Sequence, residues 1–189
     1  MTEVPERFKF TFKLFREITH NKALGFDENV LQNFMSAISQ VGDKKGCLLA
    51  QFPRSSVYNI SRLEKLLLSI QKSNTGNGWK VCVEFRHPSW YNTETYGLLA
   101  SQQASMVLHD MPSSIPPLIA PWTDIVYLRF HGVAGDYRGS YTDSFLQKRA
   151  FAVKDWMAAG HTVYAYFNNT IGDAVKNLMV MDRHVREVD

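Results

Sequence analysis

Acidic, basic and imidazole side chains gather in one short stretch of the sequence, VEFRHPSWY at residues 83–91. Glu84, Arg86 and His87 follow directly on an apolar run, and Pro88 stiffens the chain after them. A carboxylate and an imidazole can exchange protons near neutral pH or ligate a divalent metal, and a guanidinium can bind phosphate through two parallel hydrogen bonds. The stretch therefore predicts part of an acid–base, metal or anion site.

Five other apolar runs also end in polar side chains. In chain order these are Lys13 and His20, then Gln51, then His109 and Asp110, then Arg129 and His131, and last Asn168 and Asn169. Parallel α/β folds bind ligands at the carboxyl ends of their strands, so we expect these side chains at one face. Because successive side chains of a strand alternate between its two faces, and because the neighbouring residues are apolar, the side chains of Lys13, Glu84 and Arg129 are expected to point into the interior. Because a buried charge is costly unless it is paired, these three are expected to have an ion-pair partner or a ligand.

Two further segments favour an anionic ligand. FNNTIGDAV, residues 167–175, puts the amides of Asn168 and Asn169 at the start of a predicted helix, where backbone N–H groups bind phosphate. RFHGVAGDYRGSY, residues 129–141, carries three glycines and Tyr137, and it predicts a flexible loop over the pocket. Together with the arginines at the strand ends, these segments predict a phosphorylated ligand.

The catalytic candidates are Glu84, His87 and His131, as proton-transfer groups or as ligands of a divalent metal whose presence the sequence does not decide. No spacing matches the histidine pair of a helix-borne zinc site, and Ser89 lacks a nucleophile elbow. The alternative is that Glu84 only pairs with a neighbouring arginine and organises the site. Trp90 is expected either in the core or rim, or as a stacking surface for a sugar or base.

The elements that must position these residues alternate between strand and helix. Apolar runs predict strands at 8–13, 46–52, 80–85, 104–110, 125–131 and 161–167. Helical periodicity predicts helices at 26–41, 60–70, 93–102, 142–158 and 171–184, with Ser61 capping the second. Residues 111–124 hold four prolines and are predicted to be irregular. The alternation predicts an α/β fold with a parallel sheet, either open or closed into a barrel.

The overall composition fits one globular domain. The net charge of +3 permits an anionic ligand but is too small to argue for nucleic acid by itself. Cys47 and Cys82 lie in apolar runs and are expected to be reduced core thiols. The N-terminus has no signal-peptide pattern, and no apolar run approaches the ~18 residues of a membrane helix. We therefore expect a cytoplasmic protein without a membrane partner.

Several segments resemble the YecE-like family, catalogued as domain of unknown function 72. They are FKFTFKLFREITH, LLAQFP, VEFRHPSW, YLRFHG and YFNNTIGDAVKN, and they run from about residue 6 to residue 181. The resemblance implies a TIM-like (β/α) barrel with its polar residues at the C-terminal mouth. By motif matching these are Lys13, His20, Gln51, Glu84, Arg86, His87, Trp90, Arg129, His131, Asn168 and Asn169. The family has no established reaction, and its likeness to metal-dependent sugar isomerases and apurinic-site endonucleases rests on fold alone.

Family members begin with two further strand units, one with a GTSGW-like and one with an N-T-F-Y-like segment, and neither is present in this sequence. We therefore expect an incomplete barrel, with about six of eight units, as a single partial domain over residues 1–189. Its exposed strand edges would favour an oligomer. A truncated gene product or a misplaced start would account for the missing units.

The leading hypothesis is an enzyme-like barrel that binds an anionic, phosphorylated or nucleic-acid-derived ligand at the strand ends. Hydrolysis of a phosphate ester is the preferred reaction, ahead of an isomerase-like one. One alternative is a non-catalytic module that uses the same pocket for a metabolite or nucleic acid. The other is an inactive, truncated remnant.

Overall fold

The computed structural model describes residues 4–21, 25–74, 76 and 78–187. The chain divides into two compact units, Met1–Ser105 and Met106–Asp189. Both units are built from parallel strands separated by helices, which confirms the predicted mixed α/β class. In the part of the chain that the structure describes, no helix is long and apolar enough to cross a bilayer.

The first unit holds three parallel strands in the order in which they occur in the chain. The strands are β1 (Phe10–Lys13), β2 (Lys45–Phe52) and β3 (Lys80–Phe85), and the helices are α1 (Arg16–Thr19), α2 (Glu28–Ser39), α3 (Ile60–Ser73) and α4 (Thr93–Ser101), with 3-10 turns at Gly42–Lys44 and Pro88–Trp90. Strand β2 is central and almost wholly buried, as its continuous apolar run requires. In its register with β3, Gln51 lies opposite Glu84, so two predicted site residues are neighbours.

The second unit also holds three parallel strands, and a two-stranded ribbon beside them. Its elements are β4 (Ser105–His109), β5 (Ile125–Phe130), β6 (Arg138–Gly139), α5 (Asp143–Ala158), β7 (Thr162–Phe167), β8 (Ile171–Gly172) and α6 (Ala174–Arg186). Strand β5 pairs with β4 and with β7, and β6 pairs with β8. The pairing of His109 with Arg129 brings the ends of β4 and β5 to the same level.

Strand alternation decides which residues of β5 meet the helices. Val126, Leu128 and Phe130 belong to a buried cluster that includes residues of α5 and Met181 of α6. Because successive side chains of a strand point to opposite faces, Arg129 lies on the face away from these helices. That face is where the sequence pattern placed the site.

The predicted strands and helices are confirmed within a few residues, and residues 111–124 are irregular as their prolines require. Cys47 and Cys82 are buried free thiols, also as predicted. Two details are wrong. Helix α3 is capped by Asn59, not Ser61, and α6 begins at Ala174 because the residues before it form β8.

The cap of α3 gives a local test. The Asn59 side chain accepts a hydrogen bond from Arg62 N at 3.0 Å. We expect Asn59→Ala to lower the free energy of unfolding by about 1 kcal/mol, because the first turn loses an acceptor for one of its free N–H groups. Ser61→Ala, inside the same turn, should change it by less than about 0.5 kcal/mol. Hydrogen exchange of the α3 amides measures both, and equal losses would contradict the assignment of the cap.

Candidate functional site

The strand ends of the first unit carry a connected set of polar side chains. Lys13 Nζ donates to Gln51 Oε1 at 2.7 Å, and Arg86 Nε donates to Glu84 Oε1 at 2.7 Å. Glu84 is 0% exposed, and the side chain of Arg86 is 13% exposed. Glu84 therefore points into the interior, and Arg86 is its ionic partner. Lys13, by contrast, is exposed and reaches its partner from the edge strand.

His20 lies just after α1, among four cations. Its Nδ1 is 2.8 Å from Thr19 Oγ1. Partial burial lowers the pKa of His20, and the positive charges around it lower that pKa further. In decreasing order of effect, these charges belong to Arg16, Lys13, Arg86 and Arg62. The imidazole is therefore neutral near pH 7 and lies in a positive field.

Arg62 belongs to this set, although the strand-end pattern missed it. Its Nη2 donates to Thr19 O at 3.0 Å, and its guanidinium carbon lies 5.5 Å from the centre of the Phe52 ring. Desolvation by burial lowers its pKa. Together with His20 and Tyr58, it lines an open pocket of about 350 Å³. The sequence signal that could have found Arg62 is the Asn59 cap, which fixes the start of α3 and puts Arg62 in its first turn.

The other candidates of this unit have structural partners. His87 Nδ1 accepts from Ser89 N at 3.2 Å and lies 2.8 Å from Ser89 Oγ, so it caps the turn Pro88–Trp90. Trp90 is 0% exposed, its ring stacks on Phe85 at 4.7 Å, and its Nε1 donates to a backbone carbonyl at 2.7 Å. Of its two expected positions, Trp90 therefore occupies the core. It has no exposed ring face for a sugar or base.

In the second unit, Asp110 holds both ends of the segment 131–141, which we call the glycine loop. Its Oδ1 accepts from His131 N at 2.7 Å, and its Oδ2 accepts from the Tyr141 hydroxyl. That hydroxyl in turn accepts from Gly132 N at 2.5 Å. Burial and the bond to Asp110 raise the pKa of Tyr141 well above its usual range. The loop predicted to be flexible is thus anchored at its first and last residues.

The predicted site residues of this unit lie around that loop. Arg129 Nε donates to Asn168 Oδ1 at 3.1 Å. The His131 ring is 0% exposed and lies edge-on to the rings of His109 and Tyr137, at 6.1 and 5.4 Å. Tyr137 has a φ of +67°, a left-handed conformation that is unusual for a bulky side chain. The His131 ring is therefore enclosed within the second unit.

Several groups of the phosphate site predicted at the start of the last helix have partners within the chain. Asn169 is buried, and its Nδ2 donates to Gly139 O and to Asn177 Oδ1, both at 2.9 Å. The backbone N–H groups of Ile171 and Asp173 donate to carbonyl oxygens of the glycine loop. The N-cap of α6 is itself a carboxylate residue. These groups therefore join the glycine loop to the start of α6.

Comparison with known proteins identifies the family of this chain. The family model described as "Protein of unknown function DUF72" matches residues 1–189. The chain belongs to the DUF72 family. Among solved structures, a DUF72 family protein from Thermotoga maritima MSB8 matches with a TM-score of 0.75 at 24% identity, over 98% of this chain and 76% of that one. This likeness shows a shared fold, and no curated protein matches.

The DUF72 membership confirms the resemblance drawn from the sequence motifs, and it supplies no reaction. Among the residues that the structure describes, no three His, Cys, Asp or Glu side chains are grouped so that they could hold a metal ion. Glu84 is engaged by Arg86, and His87 by Ser89. The group of this DUF72 chain best suited to bind a ligand is therefore the set of cations around His20.

Proposed function

We propose that this DUF72 chain binds an anionic, phosphorylated ligand at the carboxyl ends of β1, β2 and β3. The observation that carries the proposal is the position of His20 among four cations, which together with partial burial lower its pKa. Like charges placed together repel one another, and an anion among them would relieve that repulsion. It would also offset the desolvation that lowers the pKa of Arg62.

Phosphate fits this set of cations. Three of the four cations are arginines, whose planar donors match phosphate oxygens two at a time. One of them, Arg86, is held in place by the buried Glu84 at 2.7 Å. The pocket beside His20, of about 350 Å³, has the size of a site for a sugar phosphate or a nucleotide.

For the finer function we propose hydrolysis of a phosphate ester in an incomplete TIM-like barrel. His20 supports this reaction because a neutral imidazole beside a bound phosphate can accept a proton from an attacking water. Glu84, His87 and His131, the candidates predicted from the sequence, are less suited because each is buried or engaged by other groups. The parallel strand order of each unit and the DUF72 neighbour support the barrel.

Sulfate and inorganic phosphate test the binding step. Sulfate keeps its charge across the pH range in which histidine titrates, so any pH dependence of its binding reports the protein. We expect NMR to show the pKa of His20 rising when sulfate is added. Affinity should then increase as pH falls through that pKa, because the anion favours the protonated imidazole. No change at His20 with saturating sulfate and phosphate would overturn the proposal.

A pair of arginine variants tests where the anion binds. Arg62→Ala should weaken phosphate binding about tenfold or more, because a charge-assisted hydrogen bond is lost. Arg54→Ala is the matched control, since Arg54 is exposed and is absent from the charges that act on His20. Equal losses in calorimetric titrations of both variants would indicate attraction by overall charge rather than a site.

Turnover of a nitrophenyl phosphate separates the enzyme from the non-catalytic module. If the chain hydrolyses this ester, His20→Gln should abolish the reaction and leave phosphate binding within about threefold, because the amide preserves size but not basicity. Binding without turnover, with or without added divalent metal, would favour the module that only binds. A steep fall in the affinity for single-stranded nucleic acid with salt would identify that ligand class.

A further inference from the structure

A second pocket lies within the second unit, on the face of β4 and β5 that packs against α5. It has a volume of about 300 Å³, at the lower end of the range for small-molecule sites. Leu108 and Leu128 are paired across the two strands and form its floor. Trp156 of α5 forms one side, and the proline-rich segment 111–124 forms the other. We call this cavity the proline pocket.

The wall contributed by the proline-rich segment is apolar and exposed. Ile115 is 61% exposed and Leu118 is 68% exposed, and both line the pocket. Prolines before and after these residues fix φ at several positions, which limits the conformations open to the segment. Two large aliphatic side chains held in this way at a cavity would gain from an apolar ligand that removes them from water.

Arg129 of β5 and Arg149 of α5 are both among the residues that line the pocket, but the Arg129 side chain lies on the opposite face of β5 and its Nε donates to Asn168 Oδ1. Arg149 is exposed on α5, and its guanidinium carbon lies 5.2 Å from the centre of the Phe145 ring. The carboxylate of Asp110 also lines the pocket, but it already accepts hydrogen bonds from Tyr141 and from His131 N. An acid group on a ligand would therefore find its cation at Arg149.

We propose that the proline pocket binds a small organic anion with an aromatic or branched apolar body, such as an aryl carboxylate or sulfonate. The body lies between the aliphatic wall and Trp156, and the acid group lies at Arg149. The apolar floor and the single lining cation from α5 together select this class over an inorganic anion. All residues that line the pocket belong to the second unit.

Fluorescence titration of the intact chain with 8-anilinonaphthalene-1-sulfonate tests this proposal. We expect saturable binding of one probe per chain with energy transfer from tryptophan, which Trp156→Phe should reduce without weakening binding more than about threefold. Inorganic phosphate in excess should not displace the probe. Binding of several probes without saturation would overturn the proposal.

Matched variants locate the probe. Arg149→Ala should weaken binding about tenfold, whereas Lys148→Ala, its exposed neighbour on α5, should change it less than twofold. Leu118→Ser should weaken binding by a similar factor, and Val175→Ser, an equally exposed apolar residue on α6, should leave it unchanged. Loss of binding in Val175→Ser alone would place the probe on α6 and overturn the assignment. Equal affinity for the uncharged N-phenyl-1-naphthylamine would overturn the role of Arg149.

Discussion

Glu84→Ala is expected to lower the free energy of unfolding of the first unit by about 3–5 kcal/mol. The carboxylate is 0% exposed and accepts from Arg86 Nε at 2.7 Å, and the Arg86 side chain is only 13% exposed. The variant removes the carboxylate that Arg86 pairs with, and it leaves a guanidinium charge in a place with little access to water. The loss is therefore dominated by the desolvated arginine rather than by the missing attraction.

A surface pair with the same geometry provides the control. Asp182 and Arg186 are also 2.7 Å apart, but their side chains are 52% and 77% exposed. Asp182→Ala should therefore cost less than about 1 kcal/mol, because water solvates both charges. Hydrogen exchange of the β2 and β3 amides reports the first variant, and exchange of the α6 amides reports the second. Equal losses would show that Glu84 is not effectively buried.

Trp90→Ala should lower the free energy of unfolding of the same unit by about 3–5 kcal/mol. The indole is fully buried, stacks on Phe85 at 4.7 Å and lies 5.2 Å from the Phe52 ring. Removing it opens a cavity between two strands and leaves the carbonyl of Ser56 without its donor at 2.7 Å. The lost burial of apolar surface, the cavity and the lost hydrogen bond all lower the free energy of unfolding.

Two variants separate these contributions. Trp90→Phe keeps most of the apolar volume and loses the N–H donor, so it should cost about 1–3 kcal/mol. Phe151→Ala on α5 removes an aromatic ring that is 46% exposed, and it should cost less than about 1 kcal/mol. Urea unfolding with tryptophan-independent detection, by circular dichroism, measures all three. A loss below about 1 kcal/mol for Trp90→Ala would contradict the core position.

The sequence predicted the elements well because each strand is a short apolar run with polar residues after it. The same pattern predicted the surroundings of Glu84, since a charge in a buried run needs a partner. The pattern did not identify Arg62 because it concerns only residues at strand ends, whereas Arg62 reaches the site from the first turn of a helix. Its neighbourhood depends on the packing of α3 beside β2, which no local pattern contains.

The start of α6 shows a second limit of local patterns. Helical periodicity extends back to Ile171, and nothing in residues 167–175 predicts otherwise. The structure pairs Ile171–Gly172 with Arg138–Gly139, more than thirty residues earlier, because the missing side chain of Gly172 allows the two backbones to approach closely. This contact between distant parts of the chain forms in place of the first turn of the predicted helix. Two of the N–H groups at which the phosphate site was expected, those of Ile171 and Asp173, donate across this contact.

The two bonds that Asp110 makes also have a consequence for the order of folding events. Asp110 follows β4, and its partners lie 21 and 31 residues later in the chain, on the far side of β5. These two bonds of the glycine loop can therefore form only after β4 and β5 have paired and brought Asp110 to the level of His131. Closing a segment of this length lowers the conformational entropy of the chain before the bonds that stabilise it have formed. We expect the loop to be acquired late, after the strands, and to contribute to the rate of unfolding more than to the rate of folding.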